Sequence, residues 1–164
     1  MNFQIGDKVV HQIYGVGEIV HQQDKTFSGQ TAPYYVVQIR DLTVWVPTEE
    51  VENHSLRPPT PTSEFKALFE ILGSPSEPLP IDRLERKTWL SAQLRSAGLE
   101  GICRVVRDLS NFRQGKSLYD AEKALLERAQ NLLLDEWTLS LAVPRVEDER
   151  ELKQLLEKGN AGRG

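Results

Sequence analysis

Residues 6–20 read GDKVVHQIYGVGEIV, and the role of the two glycines in this stretch decides the fold. A β-branched run at Val9-Val10 is interrupted by Tyr14-Gly15-Val16-Gly17 and resumes at Ile19-Val20. Read as a phosphate cradle, the glycines would need a third glycine and a following helix within a crossover unit. Gly17 instead leads into Glu18-Ile19-Val20, another strand-like run, and no Gly-Lys-Ser/Thr follows it. Glycines in that setting permit positive φ in a turn or bulge and a close approach of neighbouring chains. The stretch therefore predicts a tight corner in a small β structure.

Further along, up to about residue 58, the same grammar continues. YYVVQIR and LTVWVP are short β-branched and aromatic runs, and the segment DKTFSGQTAP between strands reads as a polar loop. Val44 and Val46 alternate with Thr43 and Trp45, which places one pair on a buried face and the other on a presented one. Several such strands in so short a span predict a small, strongly bent sheet or barrel. Arg57-Pro58-Pro59-Thr60-Pro61 is a stiff linker, since proline removes donors and resists helix.

Beyond the linker the pattern turns helical. Ser63 can cap EFKALFEIL, Asp82 can cap RLERKTWLSAQLR, and Ser117 can cap a long helix that Pro144 ends. LEGICRVVRDLSNF and EDERELKQLLEK complete the set. The expected architecture is α+β: a β module over residues 1–58 and an all-α helical bundle over residues 59–164.

Composition narrows the function classes. With 39% hydrophobic and 27% charged residues the chain is expected to fold rather than remain disordered. Cys103 is the only cysteine, so an intramolecular disulfide and a cysteine-based zinc site are both excluded. No run approaches a membrane span and the N-terminus lacks a signal-like apolar core, so a cytoplasmic location away from membranes is expected.

No catalytic constellation emerges. His11 and His21 lack the spacing that would put two ligands on one face, and His54 has no partner motif. Glu49-Glu50 and Glu147-Asp148-Glu149 read as solvated charge, and Cys103 as apolar packing. Neither a metal nor a cofactor is expected, and the chain is not expected to be an enzyme.

Charge is more telling. The formal net charge of −4 conceals a basic middle: residues 1–78 and 120–164 are each net acidic, whereas residues 79–119 are net basic. On the helix that starts near Asp82, Arg83, Arg86, Lys87, Leu90, Leu94 and Ala97 share one stripe, cationic at its first turn and apolar later. Cations oppose the macrodipole at a helix start. Together with the unpaired N–H groups there, they suit a nucleic-acid backbone. Arg95, Arg104, Arg107, Arg113 and Lys116 extend the positive balance, and backbone and shape readout are expected rather than base reading. Of the tryptophans, Trp45 is a candidate interface anchor, and Trp89 and Trp137 are candidate core.

The start MNFQIGDKVVHQIYGVGEI, the strand DLTVWVP, Val105-Val106-Arg107-Asp108-Leu109, and AEKALLERAQNLL resemble, in order and spacing, the CarD/CdnL family of bacterial RNA polymerase-binding transcription factors. The first two motifs also occur in the polymerase-interacting module of transcription-repair coupling factors. The resemblance implies an N-terminal Tudor-like module that grips the polymerase β subunit, with Lys25 and Trp45 at positions where family members often carry arginines. It implies a helical domain that contacts promoter DNA at the upstream edge of the melted region, through Arg83, Arg86 and Lys87. Arg83 stands where the family places a tryptophan wedge, and an arginine cannot prop bases apart as an indole does. A second expectation is an adaptor whose helical domain binds protein instead of DNA.

Overall fold

The computed structural model describes residues 2–53, 55–96, 98–115 and 117–161. His54, Ala97 and Lys116, singled out above, lie outside the described residues, as does the Arg113 side chain. Two compact units divide between Pro59 and Thr60, the first a β unit and the second helical, so the class is α+β.

The β unit is a five-stranded antiparallel sheet in the order β4-β3-β2-β1-β5, with β1 Lys8–His11, β2 Gly15–Phe27, β3 Gln30–Ile39, β4 Leu42–Pro47 and β5 Leu56–Arg57. His11 pairs with Gly15, so Gln12, Ile13 and Tyr14 form the hairpin loop. The two glycines have different jobs. Gly15 takes φ +89° to close the loop, a conformation that costs an L side chain and not glycine. Gly17 lies inside β2, where a Cβ would sit 2.6 Å from Ile39 Cγ1 and 2.8 Å from the Gln38 carbonyl oxygen, so its bare Cα lets β3 approach. His11 explains itself at the same corner. Its Nδ1 accepts from the Ile13 N–H at 3.0 Å and the Tyr14 N–H at 3.2 Å, and its ring stacks on Tyr14.

The segment DKTFSGQTAP is not a loop. β2 and β3 stay paired out to Phe27 and Gln30 around a two-residue turn, Ser28 at φ +52° and Gly29 at φ +79°, the positive-φ pair that matches strand twist. Polar side chains on this outer part of the hairpin hide the period of two that marks a half-buried strand. The core gathers Phe3, Val9, Ile19, Tyr35, Val37, Ile39, Val46, Val51 and Leu56. Val51 comes from a 3-10 helix, Thr48–Asn53, which packs against β3, β4 and β5 and completes the Tudor-like enclosure.

In the helical unit, α1 Phe65–Leu72, α2 Arg83–Arg95, α3 Glu100–Gly115, α4 Asp120–Leu141 and α5 Arg145–Ala161 pack around Leu72, Leu90, Val105, Val106, Leu109, Leu126, Leu133 and Trp137. Trp89 packs at the rim of this core. Asp82 caps α2, its carboxylate accepting from the Glu85 N–H at 3.0 Å. The other two expected caps are displaced. Ser63 lies in a 3-10 turn, Thr62–Glu64, that runs into α1. Tyr119 precedes α4 in place of Ser117, and the Glu122 carboxylate accepts from the Tyr119 N–H at 3.0 Å. Asp148, expected in solvent, is buried and accepts from the Thr138 hydroxyl at 2.8 Å. Burial pushes its carboxyl above the usual range, with the Thr138 hydrogen bond acting the other way. At the start of the unit, the Thr60 N–H and hydroxyl both donate to the buried Glu136 carboxylate, at 2.8 and 2.5 Å.

Candidate functional sites

On the β unit, Lys25 and Trp45 meet across a strand. A bulge between Ile19 and His21 shifts the β2–β3 register, so that His21 pairs with Val36, Gln23 with Tyr34 and Lys25 with Ala32. Trp45 of β4 also pairs with Val36. Residues paired across antiparallel strands point to the same side, so Lys25, Phe27, Tyr34 and Trp45 share the face opposite Tyr35, Val37 and Ile39. There the Lys25 ammonium sits 3.4 Å from the centre of the Trp45 ring and 5.7 Å from that of Phe27. Phe27 meets Tyr34 edge to face at 5.7 Å. The result is an aromatic patch with a cation at its centre, half-exposed, the composition that anchors protein interfaces. The family resemblance named Lys25 and Trp45, and strand alternation also singled out Trp45. Their contact, and the part played by Phe27 and Tyr34, depend on the bulge and on the hairpin that had read as a loop.

On the helical unit, the first turn of α2 is held from two sides. The Val105-Val106-Arg107-Asp108-Leu109 motif works as an anchor. Arg107 donates to the Ser74 hydroxyl at 2.9 Å, and the Asp108 carboxylate accepts from the Glu77 N–H at 3.0 Å. These bonds fix the segment that leads into α2. Arg86 then fixes its end, donating to the Pro80 and Ile81 carbonyls at 3.1 and 3.0 Å and, through Nε, to the Glu122 carboxylate at 2.5 Å.

Arg86 is therefore not a surface cation. It is 4% exposed, its guanidinium lies 4.8 Å from the centre of the Phe112 ring, and its Nε and Nη1 donate inward. Burial would raise the Glu122 carboxyl, but the hydrogen bond from Arg86, then that from the Tyr119 N–H, hold it below the usual carboxylate range. The helical stripe drawn from sequence placed Arg86 on one face with the other two cations. The acidic partner that draws it inward comes from α4, 36 residues away, which no local periodicity reveals.

Arg83 and Lys87 remain exposed. The Arg83 guanidinium lies 3.9 Å from the centre of the Tyr119 ring, which steadies the side chain at the helix start. Beside it Ile81 and Leu84 are 83% and 73% exposed. Two branched aliphatic side chains near Arg83 and Lys87, with the Asp82 and Glu85 carboxylates exposed among them, make a mixed apolar and charged prow. Local periodicity missed both residues, because Ile81 precedes the helix and Leu84 falls outside the stripe.

Among the described residues no group of three or more His, Cys, Asp and Glu side chains is placed to hold a metal. Among the same residues, no helix is long and apolar enough to cross a membrane.

Two family models match the chain in succession. Residues 3–60 match the CarD-like/TRCF RID domain, and residues 67–156 match the CarD C-terminal domain. A protein of Bacillus subtilis (strain 168) described as "Putative transcription factor YdeB" is 28% identical over 136 residues, a stretch covering 82% of this chain and 89% of that relative.

Proposed function

Since the chain belongs to the CarD family of transcription factors, we propose that it regulates transcription by holding RNA polymerase with its β unit and promoter DNA with its helical unit. The polymerase-facing surface is the patch of Lys25, Phe27, Tyr34 and Trp45, and the partner is the polymerase β subunit. Arginine, which family members often carry at these two positions, would pair with carboxylates. Here the tryptophan shifts the contact towards apolar and cation–π character, so the complementary polymerase surface should offer an apolar or acidic group. The setting is the cytoplasm.

On the DNA side, Arg83 and Lys87 supply the phosphate contacts and Arg86 keeps the surface in shape. The observation that carries this reading is the exposed prow at the start of α2: two cations for the backbone and two aliphatic side chains, Ile81 and Leu84. Aliphatic side chains inserted beside arginine are a recurring way to unstack a minor-groove step. In that arrangement Leu84 supplies the wedge that Arg83 cannot.

Open-complex lifetime tests the proposal, measured on a promoter with and without the protein. Wild type should lengthen it, and Arg83→Ala should reverse most of the gain. An unchanged lifetime, with polymerase still bound through Lys25 and Trp45, would sink the promoter role. It would favour a second reading that the exposed Ile81 and Leu84 also support: an adaptor whose helical unit docks a protein. Salt separates the two, because phosphate contacts weaken steeply with ionic strength and an apolar docking surface does not.

A further inference from the structure

A cavity of about 550 Å³ opens between α2 and the first two turns of α4, lined by Arg83, Leu84, Lys87, Leu90, Leu125 and, at its side, Ser91. Its size is that of a small-ligand pocket, which typically spans roughly 300–1,000 Å³. Leu90 is buried at its floor and Leu125 half-buried in its wall, whereas Arg83 and Lys87 are exposed at its edge. Glu122, also in the wall, has its charge answered by Arg86 and its second oxygen by the Tyr119 N–H, so it adds little net repulsion to an entering anion. The arrangement is asymmetric: aliphatic inside, two positive charges outside, and no uncommitted carboxylate in the lining.

From this geometry we propose that the α2–α4 cleft binds a small amphiphile, one anionic head group on a short aliphatic chain. The chain lies on Leu90 and Leu125, and the head meets Arg83 and Lys87. Resting on the DNA reading above, the consequence is competition, because the same two cations and Leu84 would face the duplex. The ligand then withdraws the DNA-contacting prow and leaves the β unit untouched, which makes the cleft a control point on promoter engagement.

The test is calorimetric titration of the full chain with octanoate. 1-Octanol, which carries the chain without the charge, and acetate, which carries the charge without the chain, are the controls. Octanoate should saturate a single site, 1-octanol should bind at least about tenfold more weakly, and acetate should give no binding heat. Ser91→Phe, which fills the cavity without changing charge, and Lys87→Ala should each weaken octanoate about tenfold or more. Circular dichroism melting checks that both variants keep the wild-type fold, and Leu125→Asn replaces any variant that does not. Equal binding of 1-octanol, or undiminished octanoate binding by folded Ser91→Phe, overturns the site. Duplex binding, measured separately, decides the competition. Octanoate should lower the duplex affinity of wild type and not that of Ser91→Phe, and an unchanged wild-type affinity with the cleft occupied overturns it. A wild-type chain that binds no duplex defeats the DNA reading, and the titration alone then decides the cleft.

Discussion

Arg86 and Glu122 tie α2 to α4 by an ion pair almost wholly out of water, 2.5 Å between Nε and the carboxylate. Removing one partner leaves the other charged and buried, which costs far more than losing a surface pair. Arg86→Ala should therefore destabilise the helical unit by about 3–5 kcal/mol. The exposed Lys87→Ala should stay within about 0.5 kcal/mol. Denaturant unfolding followed by the helical signal separates these two outcomes, and similar small effects for both would contradict the structural role given to Arg86. The same pair makes that stability acid-sensitive. Glu122 titrates below its ordinary value in the folded chain. The unfolded chain therefore binds its proton first as pH falls, and the carboxylate's stabilising contribution is complete above the ordinary carboxylate range. Below that range the contribution shrinks, and it is lost once pH passes the folded value. Stability curves from pH 6 downward should flatten in Glu122→Gln relative to wild type, the variant starting less stable.

His11 sets a second pH dependence, in the β unit and at higher pH. Burial lowers its folded pKa from the ordinary value near 6.5, and an unprotonated Nδ1 is needed to accept the Ile13 and Tyr14 N–H groups. The unfolded chain takes up the proton more readily, so stability is full above about pH 6.5 and falls as pH drops below it. Thermal melts at pH 7.5 and 5.5 should differ for wild type. The His11→Asn variant should lose that component of the difference.

Gly17 and Gly29 separate two reasons for glycine that sequence alone merges. Gly17→Ala puts a methyl against Ile39 and the Gln38 carbonyl oxygen, and the carbonyl is backbone that cannot rotate away. Overpacking of this kind should cost about 1–3 kcal/mol. Gly29→Ala meets open space but must hold φ +79°, so its cost is conformational, about 1 kcal/mol. Unfolding of the two variants in cycles with Ile39→Ala, which removes the clashing Cγ1, checks the distinction: Gly17→Ala should cost less in the Ile39→Ala background, and Gly29→Ala the same in both.

What the sequence disclosed and what it hid divide along a physical line. The corner at Gly15, the proline-rich linker, the Asp82 cap and the helical succession are all written in local patterns of turn chemistry and periodicity. Features that rest on distant pairings were hidden. The long β2–β3 hairpin carries polar residues on its outer part, so nothing local distinguishes it from a loop. Arg86 looks like its neighbours Arg83 and Lys87 until Glu122 arrives from another helix. Lys25 and Trp45 lie 20 residues apart in the chain, and only the bulge beyond Ile19 puts them on one face.

That face makes a sharp prediction about partner binding. Trp45→Ala removes the aromatic platform under Lys25 and should weaken binding to the polymerase β subunit by about 2 kcal/mol or more, as hot-spot tryptophans do. Lys25→Gln keeps the ring and removes the charge, so its smaller loss should fade as salt rises. Immobilised β subunit titrated with each variant reads both. Unaltered affinity for Trp45→Ala would move the polymerase contact elsewhere on the sheet.

DNA binding depends on which cations of α2 face outward. Removing one cation that neutralises a phosphate should make the logarithmic salt slope of duplex binding shallower by about 0.9. Arg83→Ala and Lys87→Ala should each show that change, while a folded Arg86→Lys should leave the slope near wild type because its charge never reached the surface. Leu84→Ala should also leave the slope alone, since it carries no charge. It should nevertheless shorten open-complex lifetime and abolish the fluorescence rise of a 2-aminopurine placed at the bubble edge, the signature of an unstacked base. A slope that responds to Arg86 and ignores Arg83 would place the DNA surface on a different face of α2 and remove Leu84 from the wedge position with it.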